Sequence, residues 1–263
     1  MSESKMLKGI PYRSGSDLTP YMHEKCRLDV YLPQNRKEGF GTVIYLHAGG
    51  LKAGNRNVPR QIRGKDYAVV SASYRLHPKV RSPAYIEDAA AAVAWVFENI
   101  ESYGGDPDRI VLVGFSAGGY LASLITLDKS WLRPYDIDPD SLLGLASISG
   151  QSITHFTVRK EMGIAATKPL INEFAPLYHV RGDAPPILLT TGDRELELFG
   201  RYEETSYYNR MLKSVGHKQV SQHEFKGATH SDVERESYPV LREFIAKCLS
   251  DKIEERVPVI YVK

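Results

Sequence analysis

Cysteines are scarce in this sequence of 263 residues, which has two of them, and long apolar runs are missing. No stretch approaches the ~18 apolar residues of a membrane-spanning helix, and the first residues lack the apolar core of a secretory signal peptide. Cys26 and Cys248 lie far apart in the sequence and are expected to be free thiols. These absences predict a cytoplasmic protein with no membrane partner, although a secreted chain trimmed of its leader would look the same.

An excess of charge of one sign is missing too, because 34 basic residues face 32 acidic ones and the net charge is +2. Such a balance gives no support for a nucleic-acid partner. Neither an H-E-x-x-H motif nor a cluster of cysteines and histidines with metal-ligand spacing occurs. We therefore expect no metal.

Apolar and polar residues alternate in blocks that suit strands and helices in turn, with no repeat or linker between them. Helical patterns cover 86–103, 120–125, 201–215 and 238–249. Strand-like runs cover 26–32, 41–46, 67–74, 109–113, 142–148, 186–191 and 220–225. This alternation predicts an α/β fold with a parallel sheet and helices on both faces. Residues 1–263 are predicted to form a single domain, since 42% of them are hydrophobic and can supply one full core.

The most informative motif is Gly-Phe-Ser-Ala-Gly-Gly at 114–119, which follows a strand-like run and precedes a helical one. A serine between glycines at a sharp strand-to-helix turn is typical of a nucleophile elbow. The turn strains the serine backbone and raises its hydroxyl above the sheet. Ser116 is therefore the candidate nucleophile.

A serine nucleophile needs a base, and the chain order expected for this kind of site is serine, then carboxylate, then histidine. His230 follows the last strand-like run through a short loop that contains Gly227, so we interpret it as the base. His217, in a polar turn, and His223, within a strand pattern, are the competitors and are interpreted as ordinary surface or strand residues.

Three carboxylates, Asp193, Glu195 and Glu197, occupy alternate positions of the loop after the strand-like run 186–191. Spacing alone leaves the acid partner of His230 open between Asp193 and Glu195. As an alternative to a catalytic role, Asp193 could hydrogen-bond nearby backbone N–H groups in a turn. Glu197 is interpreted as solvated.

An oxyanion hole needs backbone N–H donors close to the reacting carbonyl. One donor is expected from Ala117, the residue after the nucleophile. Others are expected from Gly49 and Gly50, because His-Ala-Gly-Gly at 47–50 is a variant of the H-G-G-G loop motif. In this interpretation His47 orients the loop and is neither a base nor a metal ligand.

With these residues together, the chain resembles the esterase–lipase branch of the α/β-hydrolase superfamily, over nearly its whole length. It is most similar to short carboxylesterases of the hormone-sensitive-lipase-like and BD-FAE-like (feruloyl or acetyl xylan esterase) type. Further signs of the resemblance are Asp-Val-Tyr-Leu-Pro at 29–33, Ser-Tyr-Arg-Leu at 73–76 and Gly-Gly-Asp-Pro-Asp-Arg-Ile at 104–110.

The resemblance implies an eight-stranded, mostly parallel sheet and a cofactor-free serine esterase acting on a small-molecule ester. It also places the acid three residues after the glycine that ends its strand, which is Glu195 here, with Asp193 as the alternative. Short acyl groups are expected, including acetyl or feruloyl groups on carbohydrates. The alternatives are a small-amide hydrolase of the arylformamidase kind and a hydrolase-fold binding protein without catalysis.

The sequence also supports predictions for two segments that carry none of these candidate residues. Residues 151–184 occupy the place of the lid and are few, which predicts an open pocket for short acyl chains. The apolar residues 257–263 either pack on their own domain or form an edge strand, and the second alternative leaves a homodimer open.

Overall fold

An eight-stranded sheet forms the centre of the computed structural model, which describes residues 5–35 and 38–250. The strands in chain order are β1 (Lys5–Pro11), β2 (Arg27–Leu32), β3 (Phe40–Leu46), β4 (Tyr67–Ala72), β5 (Gly105–Phe115), β6 (Gly144–Ile148), β7 (Ile187–Thr191) and β8 (Val220–Glu224). Strands β3, β6 and β7 are buried throughout, as their continuous apolar runs require for strands that are covered on both faces.

The strand order is β1-β2-β4-β3-β5-β6-β7-β8. Strand β2 runs antiparallel to β1 and to β4, and all other neighbouring strands are parallel. In the middle of the sheet, Ile44 of β3 pairs with Val70 of β4 and with Leu112 of β5. The predicted mostly parallel, eight-stranded sheet is confirmed, and its carboxyl edge is the place where loops can assemble a site.

Helices cover both faces of this sheet, as the alternating pattern predicts. They are α1 (Pro20–Lys25), α2 (Ala84–Asn99), α3 (Ala117–Leu127), α4 (Phe156–Glu161), α5 (Arg201–Ser214) and α6 (Val233–Cys248). One face packs against α2, α3 and α5 through a cluster that includes Val93, Leu124 and Leu212. The other face packs against α6 through Leu241 and Ile245.

Three short or marginal elements, β1, α1 and α4, are not among the elements predicted from the sequence, and α6 starts five residues earlier than predicted. Strand β1 lies at the sheet edge and has no fully buried residue, so its sequence carries no strong apolar pattern. Helix α6 begins at Val233, with Pro239 inside it and a first turn rich in acidic residues. Val233 and Ser237 are buried there, and this tertiary packing outweighs the low helix propensity of proline.

Among residues 5–35 and 38–250, no helix combines the length and apolar character needed to cross a membrane. Cys26 and Cys248 are both free, as predicted. The apolar segment 257–263, and with it the edge-strand alternative, lies outside the described residues. The single domain over 1–263 stays a prediction.

Candidate active site

The turn between β5 and α3 carries Ser116 in a strained conformation. Its φ is 53° and its ψ is −113°, a combination that non-glycine residues rarely adopt. The backbone N–H of Ser116 donates to Ile148 O at 2.8 Å, and Ser116 O accepts from Tyr120 N at 3.0 Å. These two bonds hold the turn between a neighbouring strand and the first turn of α3, so the predicted elbow is present.

Gly118 brings this turn against the end of β3. A Cβ atom placed on Gly118 would lie 2.0 Å from Leu46 O and 2.8 Å from His47 O. No side chain fits there, so only glycine lets the elbow contact the backbone of the 47–50 loop. This close approach places Ala117 beside the loop that carries Gly49 and Gly50. These three residues are the predicted oxyanion donors.

His230 lies within hydrogen-bond distance of the Ser116 hydroxyl. The Nε2 atom of His230 is 2.9 Å from Ser116 Oγ, and its Nδ1 atom is 2.9 Å from Glu197 Oε2. A carboxylate only accepts hydrogen bonds, so Nδ1 carries the proton, and Nε2 of the neutral ring accepts from the serine hydroxyl. The arrangement is a continuous serine–histidine–carboxylate chain.

The carboxylate of this chain is Glu197, and the prediction of Glu195 with Asp193 as the alternative is wrong in the structure. Glu195 is exposed to solvent. Asp193 is a turn residue, because its carboxylate accepts from Glu195 N at 3.0 Å and from Gly227 N at 2.8 Å. The interpretation of Glu197 as solvated is wrong too, since its side chain is 1% exposed.

A single helical turn explains why the third carboxylate reaches the histidine. Leu196 N and Glu197 N both donate to Asp193 O, at 2.9 and 2.8 Å, so the chain reverses within four residues. This reversal turns Glu197 back toward the sheet and leaves Glu195 facing solvent. No local pattern of apolar residues marks such a turn, so sequence spacing did not find it.

Glu197 is ionised because three further donors surround it. Ser149 Oγ donates to Glu197 Oε1 at 2.6 Å, Gly192 N to the same oxygen at 3.1 Å, and Leu198 N to Oε2 at 2.8 Å. Burial by itself would raise the pKa of Glu197, but the hydrogen bonds from His230 and Ser149 outweigh it and lower the pKa to about 2. The carboxylate is therefore negative at neutral pH and can stabilise an imidazolium.

Ser149 contacts both His230 and Glu197, and the sequence analysis did not single it out. Its hydroxyl lies 3.0 Å from His230 Nδ1 and also donates to Glu197 Oε1. Its backbone is strained, with a φ of 44°. Ser149 directly follows β6, the neighbour of β5 in the sheet. The carboxyl ends of adjacent parallel strands meet at one edge of a sheet. The position of Ser149 directly after a predicted strand was therefore the signal in the sequence that could have identified it.

A buried ion pair holds Ser149 in place. Arg201 Nη1 donates to Ser149 O, and Arg201 Nε donates to Glu204 Oε1 at 2.9 Å. Glu204 Oε2 in turn accepts from Ser152 N at 3.1 Å and from Ile153 N at 3.2 Å. The side chains of Arg201 and Glu204 are 3% and 8% exposed. Water therefore cannot solvate either charge if its partner is removed.

Replacing Arg201 by methionine is expected to lower the free energy of unfolding by about 3–5 kcal/mol, because Glu204 would be left buried without its cation. Urea unfolding followed by circular dichroism measures the loss. Arg235→Met is the matched control: Arg235 is 70% exposed and pairs with Glu236 on the surface of α6, so at most about 1 kcal/mol is expected. Equal unfolding midpoints for the two variants would contradict the role given to Arg201.

The 47–50 loop is braced from two sides. The His47 ring stacks on Tyr74 at 4.3 Å, its Nδ1 donates to Ala48 O at 2.6 Å, and the Tyr74 hydroxyl donates to His47 O at 2.7 Å. Burial lowers the pKa of His47 to about 4, so its ring is neutral. From α4, Thr157 Oγ1 donates to Gly50 O at 2.7 Å. These contacts suit a loop-orienting histidine.

The competing histidines lie elsewhere. His217 is buried at the start of the segment before β8, where Nε2 bonds to Pro185 O at 3.1 Å and Nδ1 accepts from Gln219 N. His223 is exposed on β8. Within the part of the chain that the structure describes, no group of three or more His, Cys, Asp or Glu side chains could hold a metal ion.

The sequence and the fold are similar to those of known esterases. Residues 28–135 match the model of the BD-FAE family. Carboxylesterase NlhH of Mycobacterium tuberculosis is 38% identical over 101 residues, which are 36% of this chain and 32% of the relative. The chain thus spans about a third of the length of that curated relative.

Solved structures are similar to this chain over a larger part of its length than the curated relative is. A truncated carbohydrate esterase from gut microbiota superposes with a TM-score of 0.76 at 18% identity and covers 93% of this chain and 96% of its own. Thermogutta terrifontis esterase 2, phosphorylated by paraoxon, gives a TM-score of 0.71 at 19% identity, with 93% and 94% covered. The chain shares the fold of these esterases, and its residues 28–135 are similar to the BD-FAE family.

Proposed function

We propose that the protein is a carboxylic ester hydrolase that works through an acyl-enzyme on Ser116. The observation that carries the proposal is the chain of contacts from Ser116 Oγ to His230 Nε2 and from His230 Nδ1 to Glu197 Oε2, each 2.9 Å long. A serine hydroxyl is a weak nucleophile at neutral pH, and such a base with an oriented ring is what activates it. The names carboxylesterase and carbohydrate esterase among the relatives support the same reaction class.

In the acylation step Ser116 Oγ attacks the ester carbonyl carbon while His230 Nε2 takes the hydroxyl proton. The resulting imidazolium is stabilised by the Glu197 carboxylate. The tetrahedral intermediate collapses as the bond to the leaving oxygen breaks, and His230 gives its proton to that oxygen to release the alcohol. Water then repeats the sequence on the acyl-enzyme, with His230 again as base, and releases the acid and the free serine.

Negative charge on the carbonyl oxygen is stabilised in this proposal by backbone N–H groups of Ala117, Gly49 and Gly50. Gly49 has a φ of 125°, and a Cβ atom on it would lie 2.1 Å from Ala53 O, so the loop conformation requires glycine. Ala48 replaces one glycine of the H-G-G-G motif. The carbonyl of Ala48 accepts from His47 Nδ1, which suits a residue that supports the loop.

The acyl group in this proposal is short. In the segment 151–184, α4 is only six residues long and is bonded to the 47–50 loop through Thr157. A Cβ atom on Gly50 would lie 3.1 Å from the ring of Phe156, so an aromatic side chain limits the space beside the loop. Acetyl groups on carbohydrates fit such a site, and feruloyl groups are the larger candidate that methyl ferulate tests. The carbohydrate esterase among the structural relatives supports a carbohydrate as the alcohol portion.

The test is hydrolysis of p-nitrophenyl esters from acetate to decanoate, with acetylated xylo-oligosaccharide, methyl ferulate and a formanilide on the same plate. We expect kcat/KM to be highest for acetate to butyrate and to fall about tenfold or more by decanoate, because a filled pocket rejects each added methylene. Turnover of the formanilide above that of every ester would favour the small-amide hydrolase. Equal turnover of acetate and decanoate would contradict a short acyl site.

Covalent labelling separates an enzyme from a hydrolase-fold binding protein. Paraoxon is expected to add one diethylphosphoryl group to the wild-type chain, read by intact-protein mass spectrometry, and none to Ser116→Ala. A structural relative is described as phosphorylated by the same reagent. A folded wild-type protein that hydrolyses nothing and takes no label would favour the binding protein.

A further inference from the structure

A polar cavity of about 550 Å³ lies beside the proposed catalytic chain and is not used by the mechanism above. It is bounded by the ends of β3 and β5, by the segment 55–63 and by the start of α6. His47 and Ala48 of the 47–50 loop line it, as does Phe115, the residue before Ser116. The cavity therefore borders both the nucleophile turn and the proposed oxyanion loop.

The position of Phe115 identifies the side of the substrate that faces this cavity. Its ring centroid lies 5.4 Å from that of His230. The leaving oxygen of an ester must lie next to His230 Nε2, because that atom protonates it. A group attached to the leaving oxygen is thus directed past His230 and Phe115, toward the cavity, so the alcohol portion of the ester is its natural occupant.

The charge of the cavity is positive. Arg60 and Arg63 line it, and within residues 5–35 and 38–250 no carboxylate lies within 4 Å of either guanidinium. Arg63 donates instead to a neutral group, Val58 O, at 2.7 and 3.2 Å. Arg242 adds a further cation close by, since its Nη1 donates to Gln61 O at 3.4 Å.

Among the described residues one carboxylate, Glu234 at the start of α6, also lines the cavity. It accepts a hydrogen bond from the Tyr45 hydroxyl and lies against Tyr238. The neutral ring of His47 adds no charge. Among the described lining residues, two guanidinium groups and one carboxylate that already has hydrogen-bond partners leave a surplus of positive charge. Asn55, Asn57 and Gln61 add polar groups to the same wall.

We propose that this cavity binds the alcohol portion of the ester and that this portion carries an anionic group, a carboxylate or a phosphate, held by Arg60 and Arg63. Guanidinium groups pair with both anions through two parallel hydrogen bonds. The amide side chains then bind hydroxyl groups of the same alcohol. This inference rests on the proposed ester hydrolysis, and it adds the charge of the leaving group.

The experiment compares esters that share an acetyl group and differ in the charge of the alcohol. Acetylglycolate is paired with neutral acetylglycolamide, and 2-acetoxyethyl phosphate is paired with neutral 2-acetoxyethanol. We expect wild-type kcat/KM to favour the anionic partner by about ten- to a hundredfold, mainly through KM, because the anion binds in the ground state as well as in the transition state. The arm with the larger preference identifies carboxylate or phosphate, and added salt should reduce the preference.

Arg60→Gln and Arg60→Glu are the variants, since Arg60 is exposed and its replacement leaves the packing of Arg63 on Val58 intact. The anionic preference is expected to fall in the first and to reverse in the second. Arg235→Gln on the outer surface of α6 is the control and should keep the wild-type preference. A wild-type protein that treats the charged and neutral partners alike, or an unchanged preference in Arg60→Glu, would overturn the inference.

Calorimetric binding of acetylglycolate and 2-acetoxyethyl phosphate to Ser116→Ala separates this inference from the proposed function. Binding that Arg60→Glu abolishes supports the anionic site even where no ester is hydrolysed. Hydrolysis of p-nitrophenyl acetate without such binding supports the esterase and refutes the anionic site.

Discussion

Replacing Ser116 by alanine is expected to reduce kcat for p-nitrophenyl acetate by at least about 10³-fold. The hydroxyl is the only group of this residue that the proposed acyl-enzyme uses, and it lies 2.9 Å from His230 Nε2. Background hydrolysis assisted by the proposed oxyanion donors would account for what remains. Steady-state kinetics on purified protein measures the loss, with the far-ultraviolet circular dichroism spectrum as the check on folding.

A neighbouring serine provides the matched control for this prediction. Ser123 is also buried on α3, yet it lies two turns away from the elbow. Ser123→Ala is expected to keep kcat within about twofold. A folded Ser116→Ala protein with near-wild-type kcat, or an equal loss in Ser123→Ala, would contradict the assignment of Ser116 as nucleophile.

Replacing Glu197 by glutamine is expected to reduce kcat by about 10³–10⁴-fold while leaving the fold intact. The amide has nearly the shape of the carboxylate, but its NH₂ group can face His230 Nδ1 and favour the tautomer with the proton on Nε2. That ring cannot take the Ser116 proton, and no negative charge stabilises the imidazolium. The pKa of Glu197, lowered to about 2, means that the wild-type residue supplies this charge at any pH above about 4.

Two substitutions in the same loop are the matched controls. Glu195→Gln is expected to keep kcat within about twofold, because this side chain is exposed. Asp193→Asn is expected to reduce kcat by an intermediate amount. The Asp193 carboxylate accepts a hydrogen bond from Gly227 N and so connects the loop of Glu197 to the loop of His230. Full activity in Glu197→Gln together with a large loss in Glu195→Gln would reverse the assignment.

The sheet and the elbow were predictable because their signals are local. Continuous apolar runs such as 41–46 identify strands that are buried on both faces, and the glycines around Ser116 identify a turn that few other residues can form. His230 was predictable from its position after the last strand. Its contact with Ser116, 114 residues away in the sequence, follows from the order of the strands in the sheet.

The choice among three carboxylates was not predictable in the same way. Asp193, Glu195 and Glu197 have similar chemistry and alternate along one loop, so spacing could not rank them. The helical turn from Asp193 to Glu197 decides which one faces the sheet, and the donors from Ser149 and His230 stabilise only the one that does. Both donors follow other strands, β6 and β8, so their positions are set by long-range packing.

The sequence by itself determined the fold class, the elbow serine and the candidate histidine, because hydrophobic period and turn chemistry act over a few neighbouring residues. Only the tertiary structure decided the acid, the buried Arg201–Glu204 support behind Ser149, and the positive cavity beside Phe115. Each of these depends on charged and polar groups that are distant in the sequence. Their ionisation and orientation depend on the side chains that surround them after folding.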